Sequence, residues 1–139
     1  MRIAALIHNA GRDHRVTVTT GGNTQHLTIA AKASGSGSSI NGGEFLMLAL
    51  ATCYCNDVYR EAARLNISID SVEVEALADF EGAGLAATNI TYRARITSRA
   101  PEADINTLLQ QTDTVAEIQN TVRAGVSVSL RPWDSQQSP

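Results

Sequence analysis

The chain has 139 residues, a formal net charge of -3 and a pI near 5.5, with 43% hydrophobic and 18% charged residues. That length fits one domain; the acidic balance leaves no basic footprint for nucleic acid; and no window of about 18 apolar residues is present to cross a membrane. The modest charged fraction beside a good supply of Ala, Val, Leu and Ile points to surface hidden against another subunit.

Met1-Arg2-Ile3-Ala4-Ala5-Leu6-Ile7-His8 carries one basic residue and a short apolar run without a signal-peptide cleavage region, so residues 2–8 read as a first strand and the protein as cytoplasmic. Asn9–Asp13 is a turn. Val16 and Val18 then mark a second strand, Gly21-Gly22-Asn23 a tight turn, and Leu27 and Ile29 a third strand. Residues 34–43 are a Gly/Ser loop without the Gly-Lys-Ser/Thr ending of a phosphate cradle.

A long helix is expected from about Gly43 to Leu65, ended by Asn66. Its first half is apolar enough to be buried on every side, with polar residues starting only at Asn56 and Asp57. Its second half is amphipathic, with Val58, Ala62 and Leu65 on one stripe. Cys53 falls where the apolar run gives way, at once sheltered and reachable. Cys55 is two residues on and points about 200° away, so the pair does not form a disulfide on an intact helix. In a reducing compartment both are thiols. A lone Cys-x-Cys on a helix converges on nothing, and His8, His14 and His26 all lie in the N-terminal quarter, so neither metal nor cofactor is expected.

Two half-buried strands follow, carrying Val72, Val74, Ala76, Ala78 and Phe80, then Ile90, Tyr92, Ala94 and Ile96. In an antiparallel pairing Glu73 and Glu75 face Arg93 and Arg95 on the solvent side. Pro101 suits the first position of a short helix with Ile105, Leu108 and Leu109. Asp113 caps a second helix with Val115, Ile118 and Val122 on one face, ended by Gly125. Val126, Val128 and Leu130 alternate as a last strand. Residues 1–130 thus form a single domain, and the polar segment 131–139 frays. Strands arrive in runs, so the class is α+β with an antiparallel or mixed sheet.

This order, with Asn41-Gly42-Gly43-Glu44-Phe45-Leu46, Leu48-Ala49-Leu50-Ala51-Thr52-Cys53-Tyr54, Ile67-Ser68-Ile69-Asp70-Ser71-Val72-Glu73-Val74 and Asn120-Thr121-Val122-Arg123-Ala124-Gly125-Val126, resembles the OsmC/Ohr family of thiol peroxidases over nearly the whole chain apart from the tail. The resemblance implies an intertwined homodimer that reduces small organic hydroperoxides in the oxidative stress response. It makes Cys53 the peroxidatic thiol, Arg12 (with Arg15 as a neighbouring rival) the site arginine, and Glu44 the carboxylate that orients it. Leu46, Met47 and Leu50 would receive the substrate's organic tail. The family's resolving cysteine belongs at the position of Ala116, so a cycle here would need an external thiol reductant. Glu44 lies nine residues before Cys53, about 13.5 Å of helical rise, so a site combining them draws Glu44 from a second subunit, with Arg12 a candidate for the same origin. The alternative is a catalytically silent dimer that binds a small apolar or electrophilic ligand or senses redox state.

Overall fold

The computed structural model describes residues 1–133. The tail assigned to 131–139 therefore lies, from position 134 on, outside the described residues. The element order is β1 (Ile3–Ala10), β2 (Asp13–Thr20), β3 (Asn23–Leu27), α1 (Gly42–Arg64), β4 (Ser71–Asp79), β5 (Thr88–Thr97), α2 (Glu102–Val115) and α3 (Glu117–Ala124). The class is α+β, as the runs of strands predict. The chain divides into two compact units, one of Met1–Gly42 with the segment that begins at Ser129, the other Gly43–Val128.

In the first unit β1, β2 and β3 form an antiparallel sheet in that order, with Ile7 opposite Val16 and Val16 opposite Leu27. Gly11 makes the first hairpin turn and Gly21-Gly22 the second, all three at positive φ, which a residue without Cβ adopts at little cost. Ile29, expected on the third strand, lies beyond its end. Apart from Val16 the apolar residues are poorly covered: Ile3, Leu6, Ile7 and Leu27 are all exposed.

In the second unit α1 is the organising element. Glu44 in its first turn and Arg64 in its last complement the helix dipole. Its end is a Schellman motif. Asn66 takes the left-handed conformation (φ 57°), the Ile67 N–H donates to the Ala62 carbonyl at 2.8 Å, and the Asn66 N–H donates to Ala63 at 3.3 Å. Asn tolerates that φ better than a β-branched residue, so the predicted stop at Asn66 is where the chain turns.

The burial of α1 corrects the sequence reading. The apolar first half is not enclosed on every side, for Leu48 is 55% exposed and Leu50 is its one buried residue. The polar second half is the buried one, contributing Tyr54, Asp57, Val58, Glu61 and Ala62. Hydropathy alone misplaces the interior because the partners of Asp57 and Glu61 are arginines on the same helix, invisible to an apolar count.

β4 and β5 pair antiparallel with Glu73 opposite Arg95 and Glu75 opposite Arg93, the pairing the alternation predicts, and both pairs form ion pairs on the exposed face. The opposite face (Val72, Val74, Tyr92, Ala94, Ile96) packs on a core of Tyr54, Val58, Ala62, Leu108 and Ala116. Phe80, expected on β4, lies past its end and is exposed.

Two further expectations change in the C-terminal half. Asp113 caps nothing, because α2 runs through it to Val115 and the break comes at Ala116 (φ -73°, ψ 101°). The Asp113 carboxylate is engaged by Tyr92 and Arg123 instead, and fully buried Ala116 holds the break in the core. Pro101 stands one residue before α2 with an extended ψ of 146°, as its N-cap. Gly125 ends α3 as predicted, left-handed at φ 59°, its N–H donating to Val122. No strand forms over 126–130 among the described residues. Val128 and Leu130 are fully exposed; among the described residues no strand pairs with this segment, and a strand needs a partner for its backbone groups.

Candidate functional site

Cys53 lies midway along α1, partly exposed, and its surroundings come from its own helix and from the start of α3. The thiol donates to Asp57 Oδ2 at 3.4 Å and lies 3.8 Å from Glu117 Oε2. The Ile118 backbone N–H also points to the sulfur. Asp57 is four residues on from Cys53 and Arg60 three further, so all three side chains share one helix face. Arg60 Nη1 bonds Asp57 Oδ1 at 2.7 Å and approaches Glu117 Oε1 at 3.7 Å. The junction at Ala116 is what delivers Glu117 and Ile118 to the thiol. Gln119, the buried next residue, ties α3 to α1 by donating to the Leu50 carbonyl at 2.9 Å.

The electrostatics of this cluster oppose a thiolate. Burial pushes the Cys53 thiol above its ordinary value. The Ile118 N–H works the other way, and the acidic neighbours Asp57 and Glu117 reinforce the rise. Asp57 is also pushed up, first by burial and then by Glu117, against the hydrogen bond from Cys53 and the charge of Arg60. Around neutral pH the site therefore holds a protonated thiol in contact with a carboxylate that can accept its proton. The Cys53, Asp57 and Glu117 donor atoms lie within 4.8 Å of one another, the spacing three ligands of one cation would need. Arg60 already supplies a positive charge to both carboxylates.

The other residues singled out from the sequence fall elsewhere. Arg12 is exposed in the β1–β2 turn of the first unit, and Arg15 on β2 pairs with Asp13 at 3.2 Å. Glu44 is exposed in the first turn of α1; Leu46 and Met47 are half-buried and Leu50 is buried. Cys55 is a free thiol beside a groove formed with Ala51, Thr52, Asn56 and Val74, so the two cysteines lie apart as the helix geometry requires. Sequence reasoning missed Asp57, Arg60 and Glu117 as neighbours of the thiol. The signal was present: Asp57 and Arg60 are four and seven residues after Cys53, and Glu117 adjoins the position compared with a resolving cysteine.

An α+β domain with a helix-borne cysteine set against the junction of two C-terminal helices is the class this fold and site define. A family model described as OsmC-like protein matches residues 35–131, and the chain belongs to that family. Solved structures of similar fold include an organic hydroperoxide resistance protein OsmC from Legionella pneumophila, 19% identical over 88% of this chain and 90% of that one, with a TM-score of 0.58. An OsmC-like protein from Mycoplasma pneumoniae is 16% identical over 88% and 86% of the two chains, with a TM-score of 0.61. An organic hydroperoxide resistance protein from Elizabethkingia anophelis is 15% identical over 88% and 89%, also with a TM-score of 0.61. None of the curated protein sequences matches the chain. No helix among the described residues is long and apolar enough to cross a membrane.

Proposed function

We propose that this OsmC-like protein reduces organic hydroperoxides with Cys53 as its single peroxidatic cysteine, in a reducing cytoplasm. The observation that carries the reading is the position of the thiol. It is partly exposed on α1 and lies against the α2–α3 junction, with a proton acceptor and a backbone N–H in contact. Sulfur attack on the peroxide O–O bond yields an alcohol and a sulfenic acid. With Ala116 in place of a second thiol, an external monothiol or dithiol resolves the sulfenic acid. Leu46, Met47 and Leu50, one to two turns before Cys53, would face the organic tail.

The active form we propose is a homodimer. Its support is apolar surface that one chain leaves open: Ile3, Leu6 and Ile7 on β1, and Val126, Val128, Leu130 and Trp133 near the C-terminus. In that dimer a second subunit contributes Arg12 to favour the thiolate and Glu44 to orient the guanidinium. Consumption of tert-butyl hydroperoxide with dithiothreitol or 2-mercaptoethanol tests the reading. Cys53→Ser is expected to lower turnover by at least about a hundredfold. Wild-type protein that consumes no peroxide in a Cys53-dependent manner with any reductant would sink it. Light scattering that finds only monomer would remove the shared site.

The raised thiol pKa and Ala116 favour a second reading, a dimer that binds a small apolar or electrophilic ligand without turnover. A ligand retained through native purification and seen by mass spectrometry, with Cys53 inert to peroxide, supports that reading instead.

A further inference from the structure

We propose that Asp57 is a catalytic residue: it takes the proton from the Cys53 thiol as the sulfur attacks the hydroperoxide, and returns it to the departing alkoxide. The proposal rests on the peroxidase reading of Cys53 and adds the group that moves the proton.

The two oxygens of Asp57 have separate tasks. Oδ1 is held by Arg60 at 2.7 Å, while Oδ2 accepts from the thiol at 3.4 Å. The carboxylate is 4% exposed, so the thiol and Arg60, not bulk water, are its working partners. Both residues stand on one helix at a four-residue spacing, which fixes their contact without any loop movement. The charged groups facing Asp57 are Arg60 on its own helix, with Glu61 beyond it on the same guanidinium, and Glu117 from α3.

Charge conservation is the physical argument. With the thiol protonated, Asp57, Glu117 and Arg60 sum to one net negative charge. Loss of the thiol proton to solvent would make that two, in a partly buried site where like charges repel strongly. Transfer to Asp57 leaves it at one. In the full step the S–H proton moves to Asp57 Oδ2, a bond forms between Sγ and one peroxide oxygen, and the O–O bond breaks. The alkoxide then collects the proton from Asp57. Sulfur is oxidised to sulfenic acid, the hydroperoxide is reduced to alcohol, and Asp57 ends as it began.

The test uses Cys55→Ser protein, so that one thiol reports. Two rates are compared as a function of pH: alkylation by iodoacetamide, which needs only thiolate, and sulfenic acid formation with stoichiometric tert-butyl hydroperoxide. Asp57→Asn keeps the shape and removes the acceptor. It is expected to speed alkylation at pH 7, because a negative neighbour is gone, and to slow sulfenic acid formation by about a hundredfold, the usual scale of proton-transfer catalysis. Both rates rising together would overturn the proposal and leave the peroxidase reading intact. A wild-type protein that forms no sulfenic acid would overturn both. Should Asp57→Asn fail to fold, the unsubstituted pH profiles decide. A relay makes peroxide reactivity level off well below the pKa seen by alkylation, whereas coincident profiles rule it out.

Discussion

The two ends of α3 make a useful comparison, since one eight-residue helix serves both. At its C-terminal end Arg123 bonds the Asp113 carboxylate at 2.5 Å and its carbonyl at 3.3 Å. The Tyr92 hydroxyl donates to the same carboxylate. Tyr54 stacks edge-on against Tyr92 at 4.9 Å and donates its own hydroxyl to the Leu109 carbonyl at 2.7 Å. One carboxylate meets one guanidinium, and neutral donors fill the rest. At the N-terminal end the Asp57 and Glu117 carboxylates both lie against the Cys53 thiol, and both draw on the guanidinium of Arg60, which Glu61 also reaches. Balanced charge locks α3 to its neighbours; an excess of acid at the other end leaves a proton whose place is open to change. The same residue types thus serve stability at one end and, on the proposed reading, chemistry at the other, and the balance of charges separates the roles.

The largest effect should come from the balanced end at high pH. Burial, helped by Asp113, pushes the Tyr54 phenol up to about 12. An unfolded tyrosine ionises near 10, so the folded state keeps a proton that the unfolded state releases. The resulting stabilisation is fully present below pH 10 and is lost as pH rises from 10 through 12, up to about 2.7 kcal/mol. Urea unfolding across that window should show the decline, and Tyr54→Phe should flatten it. The variant should also cost about 1 kcal/mol at pH 7, because the part-buried Leu109 carbonyl loses its donor. An unchanged alkaline slope would mean that this end is not closed as the hydrogen bonds suggest.

Asp113→Asn is a smaller perturbation of the same end. The amide can still accept from Tyr92, but the charge opposite Arg123 is gone. With both side chains nearly half exposed, about 1 kcal/mol of unfolding free energy should be lost. The rate of Cys53 alkylation should stay within about twofold of the parent, since sites without shared partners add independently. A large change in thiol reactivity would show the two ends to be coupled and would break the comparison.

Much of the fold was legible in the sequence because local rules govern it. Alternation put Glu73 and Glu75 opposite Arg95 and Arg93, Gly125 ended α3, and Asn66 ended α1. What failed depended on partners distant in sequence or missing among the described residues. The break at Ala116 is held by core packing, so Asp113 misleads as a cap. The residues from Val126 to Leu130 have a strand's alternation but pair with no strand among the described residues. The family was legible from motif residues, and with it the candidate cysteine. The acidic surroundings were not, because attention to an activating cation favours arginines over an aspartate one turn away. Cys53 meets Asp57 through helix periodicity alone, but Glu117 only through the path of α2 and α3.

Glu117 gives the finest division between field and proton transfer. Its carboxylate is 3.8 Å from the sulfur, but the side chain is 69% exposed, so solvent and salt screen its charge. Glu117→Gln removes a charge that raises the thiol pKa and frees Arg60 from one of its competing carboxylates, leaving it to Asp57 and Glu61. Both changes favour the thiolate. Alkylation at pH 7.5 should quicken by about two- to threefold, with the gain shrinking as ionic strength rises, and stability should move by less than about 0.5 kcal/mol. Sulfenic acid formation should quicken with it, because Asp57 still accepts the proton. That is the opposite of the divergence expected for Asp57→Asn. If Glu117→Gln instead slows the peroxide step while speeding alkylation, the proton passes through Glu117, and the exposed carboxylate, not the buried one, is the base.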